Sequence, residues 1–186
     1  ITGSDFIRRR QRRNNNFYLW LLFNKPGYPG LILFRIEEIQ ENKLGNKTLA
    51  IIKPDAVQKG HTGDILAMII KAGFKIKAMK MTHLTKSSAE GFYAIHKERP
   101  FFSDLVAYMT SGPCIPIALE RENAVEEYRK LIGATDPKKA ADGTVRKLFA
   151  VDIQLNAVHG SDSDENAEKE IAHFFSKDEL LNNYSS

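Results

Sequence analysis

The sequence predicts an α+β sandwich, in which helices pack against a small mixed β-sheet. Two observations lead to this fold class. Short apolar runs of five or six residues alternate along the chain with longer amphipathic stretches that end at glycine, which is the pattern of strands and helices in alternation. The chain has 186 residues, of which 42% are hydrophobic, and this is enough for one ordinary core with an extension appended.

The first elements of the predicted fold are a strand, a helix and a second strand. Residues 48–52 are a short apolar run that ends before Pro54, and both the length and the stop favour a buried strand over a helix. Residues 63–72 place isoleucines on one helical face, and Gly73 ends that helix. Apolar and polar residues then alternate over residues 74–78, which predicts a strand with one face in water.

The middle of the chain is predicted to be mainly helical. Residues 87–90 have the Ser-x-x-Glu form of a capping box, which predicts a helix from there to residue 95. A second short helix follows over residues 103–109. Residues 114–119 are the next apolar run and predict a buried strand, and residues 123–132 predict another helix.

The last part of the chain begins with a long loop at residues 134–143, and loops of this length in compact domains are usually functional or disordered. A short helical turn over residues 146–149, a final strand over residues 150–155 and a final helix over residues 166–175 complete the pattern. The order βαββαβ predicts a ferredoxin-like split βαβ fold with added helices and a long loop before the last strand.

Residues 1–46 differ in composition from the rest and are predicted to be a basic, disordered extension of a domain at residues 47–186. Their arginine cluster precedes an apolar run at residues 17–23, which is too short to cross a bilayer. A targeting segment and an upstream translation artefact are the alternatives. The extension holds eight Lys or Arg and four Asp or Glu, so 19 of each sign remain in the domain. This neutral domain gives no argument for a nucleic-acid partner.

Several motifs of other kinds of site are absent or incomplete. Residues 162–173 begin like a calcium-binding EF-hand loop, but Ala167 stands where glycine is required and His173 stands where glutamate is required. The sequence has no GxxxxGK(S/T) phosphate-binding loop, and the single cysteine, Cys114, cannot build a zinc site. A lone cysteine also excludes an intrachain disulfide and is what an intracellular protein or a small core position would show. We expect a cytoplasmic location.

The stretch NAVHGSDS at residues 156–163 places His159 immediately before a predicted helix start. Ser161 or Ser163 can cap that helix, and the acidic residues that follow fall in its first turn, where negative charge is favoured. Backbone N–H groups at a helix start have no partner within the helix, so an anion such as a phosphoryl group can bind there. A histidine beside a turn can equally be structural, and the octapeptide alone leaves both roles open.

Basic and polar residues elsewhere are candidates to bind phosphate with this histidine. Arginine offers a fixed fork of donors to a phosphate and lysine offers a point charge, although each such residue alone is usually a solvated surface residue. Phe101 is open to two interpretations, core packing or a stacking platform for a base. The candidate polar residues at strand ends and loops are Lys53, Arg129, Thr135, Arg146 and Asn156.

With these residues identified, residues 47–180 closely resemble the nucleoside diphosphate kinase family, in its short bacterial form. The first 46 residues have no counterpart in the family pattern, and the end of the chain is shorter than in animal-type members. The resemblance rests on TLAIIKPD at residues 48–55, RPFF at residues 99–102, SGP at residues 111–113, and the highly specific NAVHGSDS at residues 156–163 followed by AEKEI at residues 167–171.

The resemblance implies an enzyme that moves the γ-phosphoryl group of ATP or another nucleoside triphosphate to a nucleoside diphosphate in a ping-pong cycle. His159 would be the nucleophile that forms a phosphohistidine, Glu170 would orient its ring, and Ser161 would hydrogen-bond near the transferring group. Phe101 would stack on the base. Asn156 and Lys53 would contact the ribose hydroxyl, and the phosphates would be held by Lys53, Tyr93, Arg129, Thr135 and Arg146.

The resemblance also implies a cofactor and partners. Mg²⁺ would arrive with the nucleotide and bridge its phosphate oxygens, without a cage of protein ligands. A homotetramer or homohexamer is expected, because family members assemble in these forms, with no membrane and no specific nucleic acid as a partner. The alternative is a protein without catalytic activity, a nucleic-acid or regulatory binding module on the same fold. In that case the arginine-rich extension would bind the nucleic acid or the regulatory partner.

Overall fold

The computed structural model describes residues 8–13, 16–25, 28–35 and 45–181. The chain divides into two units, Ile1–Lys43 and Leu44–Ser186. The remaining parts of the predicted disordered extension, and the predicted short chain end at residues 182–186, lie outside the described residues.

The first unit contains a three-stranded antiparallel sheet in the order β1-β2-β3. Two residues connect each pair of strands, and such short connections favour antiparallel hairpins. The predicted extension therefore contains regular structure in its described part. The sequence signal for it is the apolar run at residues 17–23, which is long enough for a strand although it does not alternate. The strands are β1 Arg8–Arg13, β2 Asn16–Lys25 and β3 Tyr28–Arg35.

The second unit contains a four-stranded sheet in the order β5-β6-β4-β7. Its strands, numbered within the unit, stand in the order 2-3-1-4, which is the arrangement of the ferredoxin-like split βαβ fold and confirms the predicted fold class. Every neighbouring pair is antiparallel, so the prediction of a mixed sheet is wrong. The strands are β4 Lys47–Ile52, β5 Lys75–Met79, β6 Ile115–Glu120 and β7 Val158–Gly160.

Helices cover both faces of this sheet. The short helix α1 was not predicted, because Pro54 was interpreted only as the end of a strand, whereas proline is also favoured in the first turn of a helix. Among the described residues, no helix has the length and apolar composition needed to cross a bilayer. The helices are α1 Pro54–Gln58, α2 Thr62–Lys71, α3 Lys86–Phe92, α4 Phe102–Met109, α5 Ala124–Ile132, α6 Val145–Phe149 and α7 Asp164–Phe174, with 3-10 turns at Ala94–His96 and Lys177–Glu179.

The core lies on both sides of β4. Ala50 and Ile52 pack into the cluster under α2, α5 and α6, whereas Leu49 and Ile51 pack into the cluster under α3, α4 and α7. All four side chains are fully buried, which explains why this strand is a continuous apolar run and does not alternate. Val158 of β7 belongs to the first cluster, so the next residue along β7 faces the second.

The strand predicted over residues 150–155 is wrong. The carboxylate of Asp152 accepts hydrogen bonds from the backbone N–H groups of Gln154 and Leu155 at 2.8 and 2.7 Å, and this local turn competes with a strand ladder. The last strand is β7, which pairs with β4 and places His159 opposite Ile51. The histidine therefore lies in a strand, and helix α7 begins five residues later, at Asp164.

The helix caps differ in part from the predicted ones. The cap of α7 is Ser163, whose hydroxyl accepts a hydrogen bond from the N–H of Asn166 at 3.2 Å. Ser163 is one of the two predicted caps, and Ser161 is the other. The capping box predicted at residues 87–90 is wrong. Thr85 caps α3 by accepting from the N–H of Ser88 at 3.1 Å, so the helix begins one residue before the predicted box.

Candidate active site

Strand β7 and helix α7 bring His159 and Glu170 together. The Nε2 atom of His159 lies 3.0 Å from Oε2 of Glu170. An ionised carboxylate can only accept a hydrogen bond, so Nε2 carries the ring proton and donates it, which leaves Nδ1 as the nitrogen with a free lone pair. The His159 side chain is 20% exposed, so a ligand can reach it.

Ser161 forms hydrogen bonds with Glu170 and with strand β4. Its Oγ donates to the same oxygen of Glu170 at 2.6 Å and accepts from the backbone N–H of Leu49 at 3.0 Å. The Ser161 side chain is fully buried. It therefore ties Glu170 to strand β4, and it acts on the His159 ring through the Glu170 carboxylate.

Two aromatic rings from the end of α3 flank the histidine. The Phe92 ring lies edge-on to the His159 ring with centroids 5.4 Å apart, and the Tyr93 ring lies edge-on at 6.4 Å. The Tyr93 hydroxyl is buried and has no hydrogen-bond partner in the described part of the chain. Burial raises the pKa of Tyr93 well above its ordinary value, so this hydroxyl stays a proton donor. Phe92 was not predicted as a site residue, and the only signal was its place beside Tyr93.

A row of rings connects Phe101 to the histidine. The Phe101 centroid lies 5.9 Å from that of His96, and His96 stacks on Tyr93 at 6.5 Å. Phe101 is 51% exposed, so its ring offers an open face to a ligand and the core-packing alternative does not hold. The α3–α4 region thus presents one exposed aromatic side chain at the far end of a row that ends at His159.

Lys53 and Asn156 form a second pair. The Nζ atom of Lys53 donates to Oδ1 of Asn156 at 2.7 Å, and Nδ2 of Asn156 donates to the carbonyl of Ile153 at 2.8 Å. Burial and then the charge of Arg146 lower the pKa of Lys53 to about 8, while the nearby carboxylate of Asp55 acts in the opposite direction. The amine is therefore close to its titration point near neutral pH.

The backbone between Asn156 and the histidine is strained. Ala157 has a φ of 65°, in the left-handed region that costs an L-residue about 1–2 kcal/mol. The Oδ2 atom of Asp55 accepts from the N–H of Ala157 at 3.1 Å, and the Tyr108 hydroxyl donates to the other carboxylate oxygen. The sequence did not indicate either Asp55 or Tyr108 as a site residue, because their contacts cross about fifty to a hundred residues of chain.

Three predicted phosphate-binding residues line one open cleft of about 350 Å³: Arg129 from α5, Thr135 from the long loop and Arg146 from α6. The two terminal nitrogens of Arg146 donate to the carbonyls of Gly133 and Val158 at 2.8 and 3.1 Å, and its Nε has no partner among the residues the structure describes. The contact with Val158 joins the cleft to the strand that carries the histidine. Phe101 does not line this cleft.

The cleft suits an anion and does not suit a metal ion held by the protein. No Asp or Glu lines it, and Lys130 and Lys139 add to its positive charge. Residues 45–181, the described part of the domain, contain no group of three or more His, Cys, Asp or Glu side chains that could hold a metal ion. Mg²⁺ prefers oxygen ligands, so the donor set present does not fit a resident magnesium site.

Comparisons with known proteins agree with this fold. The family model described as nucleoside diphosphate kinase matches residues 46–180. A nucleoside diphosphate kinase from Salinibacter ruber is 54% identical over 137 residues, which are 74% of this chain and 96% of that protein. The solved structure of Aquifex aeolicus nucleoside diphosphate kinase has a TM-score of 0.72 and 45% identity over 73% of this chain and 99% of its own.

A second solved structure, a halophilic nucleoside diphosphate kinase from Halobacterium salinarum in complex with CDP, has a TM-score of 0.73 and 38% identity over 76% of this chain and 94% of its own. The shared fold defines an α+β domain of the ferredoxin-like class. The chain belongs to the nucleoside diphosphate kinase family, and the resemblance predicted from its motifs is confirmed.

Proposed function

We propose that this chain transfers the γ-phosphoryl group of a nucleoside triphosphate to a nucleoside diphosphate through a phosphohistidine at His159. The observation that carries the proposal is the bond from His159 Nε2 to Glu170, which leaves Nδ1 free. The basic cleft is connected to the same strand by the bond from Arg146 to the Val158 carbonyl. A fixed, unprotonated ring nitrogen is the nucleophile that such a covalent step requires.

In the first half of the cycle, the lone pair of Nδ1 attacks the γ-phosphorus. The N–P bond forms as the bond from phosphorus to the β,γ-bridging oxygen breaks, and that oxygen leaves with the electron pair as part of the diphosphate. In the second half, a terminal oxygen of another nucleoside diphosphate attacks the phosphorus, the N–P bond breaks, and Nδ1 of His159 recovers its lone pair. Glu170 accepts the hydrogen bond from Nε2–H of His159 throughout the cycle and stabilises the positive charge that develops on the ring.

The remaining residues position the nucleotide and stabilise the transferring charge, which is most of what phosphoryl transfer needs from a protein. The unpaired hydroxyl of Tyr93 donates a hydrogen bond to the γ-phosphoryl group, and Ser161 holds Glu170 in place. Phe101 stacks on the base without selecting it, because every base has a π face. Lys53 and Asn156 bind the ribose hydroxyl, and Lys53 also contacts phosphate. The phosphates are held from the cleft by Arg129, Thr135 and Arg146.

The proposal includes the cofactor and the setting of the enzyme. Mg²⁺ would arrive with the nucleotide and would neutralise part of the phosphate charge. The cleft offers no carboxylate that could hold the ion itself. A homotetramer or homohexamer is part of the proposal because members of the family assemble in these forms. The single buried cysteine, Cys114, supports a cytoplasmic location.

Residues 1–46 lie, in this proposal, outside the catalytic domain of residues 47–186. The start of the family match at residue 46 and the division of the chain after Lys43 support that boundary. No residue assigned to binding or transfer belongs to the extension.

The direct test is a transfer assay with one nucleoside triphosphate, a different nucleoside diphosphate and Mg²⁺. A ping-pong enzyme gives parallel double-reciprocal plots when the second substrate is varied, because the first product leaves before the second substrate binds. We expect parallel plots for the wild-type chain and no transfer by His159→Ala. Intersecting plots, or a wild-type chain without transfer activity, would contradict the proposal.

A further inference from the structure

One buried charged group near the site has no part in the mechanism above. Asp55 lies at the start of α1 and is only 7% exposed. Its two carboxylate oxygens accept hydrogen bonds from two distant parts of the chain, the hydroxyl of Tyr108 on α4 and the backbone N–H of Ala157 before β7, the latter at 3.1 Å. A carboxylate is buried at a cost unless its partners are fixed, so this arrangement calls for a specific role.

The role follows from the backbone conformation of Ala157. Its N–H donates to Asp55 and its carbonyl accepts from the backbone N–H of Lys53 at 2.8 Å, so both peptide groups are held by the turn between β4 and α1. Its φ of 65° is unfavourable for a residue with a Cβ atom. The backbone N–H of Val158 donates to the carbonyl of Asn156 at 2.7 Å, so the chain makes a tight three-residue turn centred on Ala157, directly before His159.

We propose that Asp55, fixed by Tyr108, is a positioning residue for phosphoryl transfer. It holds Ala157 in the left-handed conformation and thereby sets where the Asn156 amide and the His159 ring point. The inference rests on the proposed function, since it concerns the same transfer reaction. The positioning effect acts through the backbone of Ala157, to which Asp55 is hydrogen-bonded.

Asp55 has a second effect that must be separated from the first. Its negative charge opposes the lowering of the Lys53 pKa by burial and by Arg146. Asp55→Asn separates the two effects. The asparagine oxygen can accept from the N–H of Ala157 and its amide can donate to the Tyr108 oxygen, so the positioning bonds stay and the charge is lost. Asp55→Ala removes both the positioning bonds and the charge.

The experiment measures kcat and KM for transfer in Asp55→Ala, in Asp55→Asn and in the double variant Asp55→Ala with Ala157→Gly. We expect Asp55→Ala to lower kcat by about tenfold to a hundredfold, because a small misplacement of reacting groups costs this much. We expect Asp55→Asn to retain most of kcat at pH 7. The glycine adopts positive φ without a Cβ penalty, so the double variant should recover a large part of the lost kcat.

One control variant and one substitute variant separate an effect on catalysis from an effect on folding. Ile69→Val removes one buried methylene on α2, in the first core cluster, and should lower the melting temperature while leaving kcat unchanged. If Asp55→Ala does not fold, Tyr108→Phe takes its place. That variant removes only one bond to the carboxylate, and we expect a loss of kcat of about threefold. The addition of Ala157→Gly should again recover this loss.

Three outcomes would overturn the inference while the proposed function stands: wild-type kcat in Asp55→Ala, no recovery in either glycine double variant, or Asp55→Asn as impaired as Asp55→Ala. The last would assign the effect to charge alone. A wild-type chain that transfers no phosphoryl group would instead contradict the proposed function, and with it the reaction that Asp55 is proposed to serve.

Discussion

Glu170 on helix α7 accepts a hydrogen bond from Nε2 of His159 on strand β7 at 3.0 Å, and the same carboxylate oxygen accepts from Ser161 at 2.6 Å. The two bonds fix both the direction of the imidazole ring and the nitrogen that carries its proton. The opposite nitrogen, Nδ1, thereby keeps a free lone pair. In the proposed mechanism, this nitrogen is the nucleophile that accepts the phosphoryl group.

Replacement of Glu170 by glutamine tests this pair. A hydrogen bond to a charged group is worth about 1.5–3 kcal/mol, so we expect Glu170→Gln to lower kcat by roughly tenfold to a hundredfold with little change in KM. Steady-state kinetics provide the measurement. Glu168→Gln, an exposed change on the same helix, is the matched control and should behave like the wild type. An unchanged kcat in Glu170→Gln would remove Glu170 from the mechanism.

The pH dependence of kcat/KM tests Lys53. Burial lowers the pKa of this amine to about 8, so its positive charge is present below that pH and is lost as the pH rises through it. We expect kcat/KM, which reports the free enzyme, to fall above about pH 8. Lys53→Met should be less active at every pH and should lack this descending limb. The same limb in Lys53→Met would assign it to another group.

Substitution of Phe101 tests the binding of the base. Stacking of a base on an aromatic side chain contributes about 1–3 kcal/mol, so we expect Phe101→Ala to raise KM by roughly five- to a hundredfold. The increase should be similar for purine and pyrimidine nucleotides. Ile70→Ala on α2, where the side chain is 58% exposed, is the control of similar exposure and should leave KM unchanged. A Phe101→Ala variant with wild-type KM would exclude the stacking role.

Deletion of residues 1–42 tests the division of the chain. All residues assigned to binding and transfer lie after residue 46, so we expect kcat, KM and the melting temperature of the domain to stay at their full-length values. The chain cleaved or expressed from residue 43 can be compared directly with the full chain. Loss of activity or of folding on deletion would show that the extension belongs to the functional unit.

Much of the fold could be predicted because local patterns agree with it. The buried run around Ile51 and the amphipathic stretches of α2 and α5 produced the right elements in the right order. The last strand was misplaced, since Asp152 bonds to the backbone just beyond itself and replaces a ladder with a turn. A sequence pattern records apolar residues but not this competition between side chain and backbone.

The candidate site was predicted partly from motifs and partly from the family resemblance. His159, Lys53 and Asn156 stand in specific motifs, whereas Arg129, Thr135 and Arg146 stand outside them. Asp55 is part of a motif and Phe92 is not, and the contacts of both become apparent only in the folded chain. The bond from Asp55 to Ala157 joins residues about a hundred positions apart, and no local spacing rule detects such a pair. The sequence likewise does not indicate the positive φ of Ala157, because alanine rarely adopts this conformation.

The central claim is a covalent phosphoryl group on His159, and labelling tests it most directly. The wild-type chain is incubated with γ-labelled ATP and Mg²⁺ in the absence of a diphosphate acceptor, and the label is then exposed to acid and to base. We predict a label that is lost in acid, stable in base, released on addition of a nucleoside diphosphate, and absent from His159→Ala. An acid-stable label, or full labelling of His159→Ala, would contradict the account.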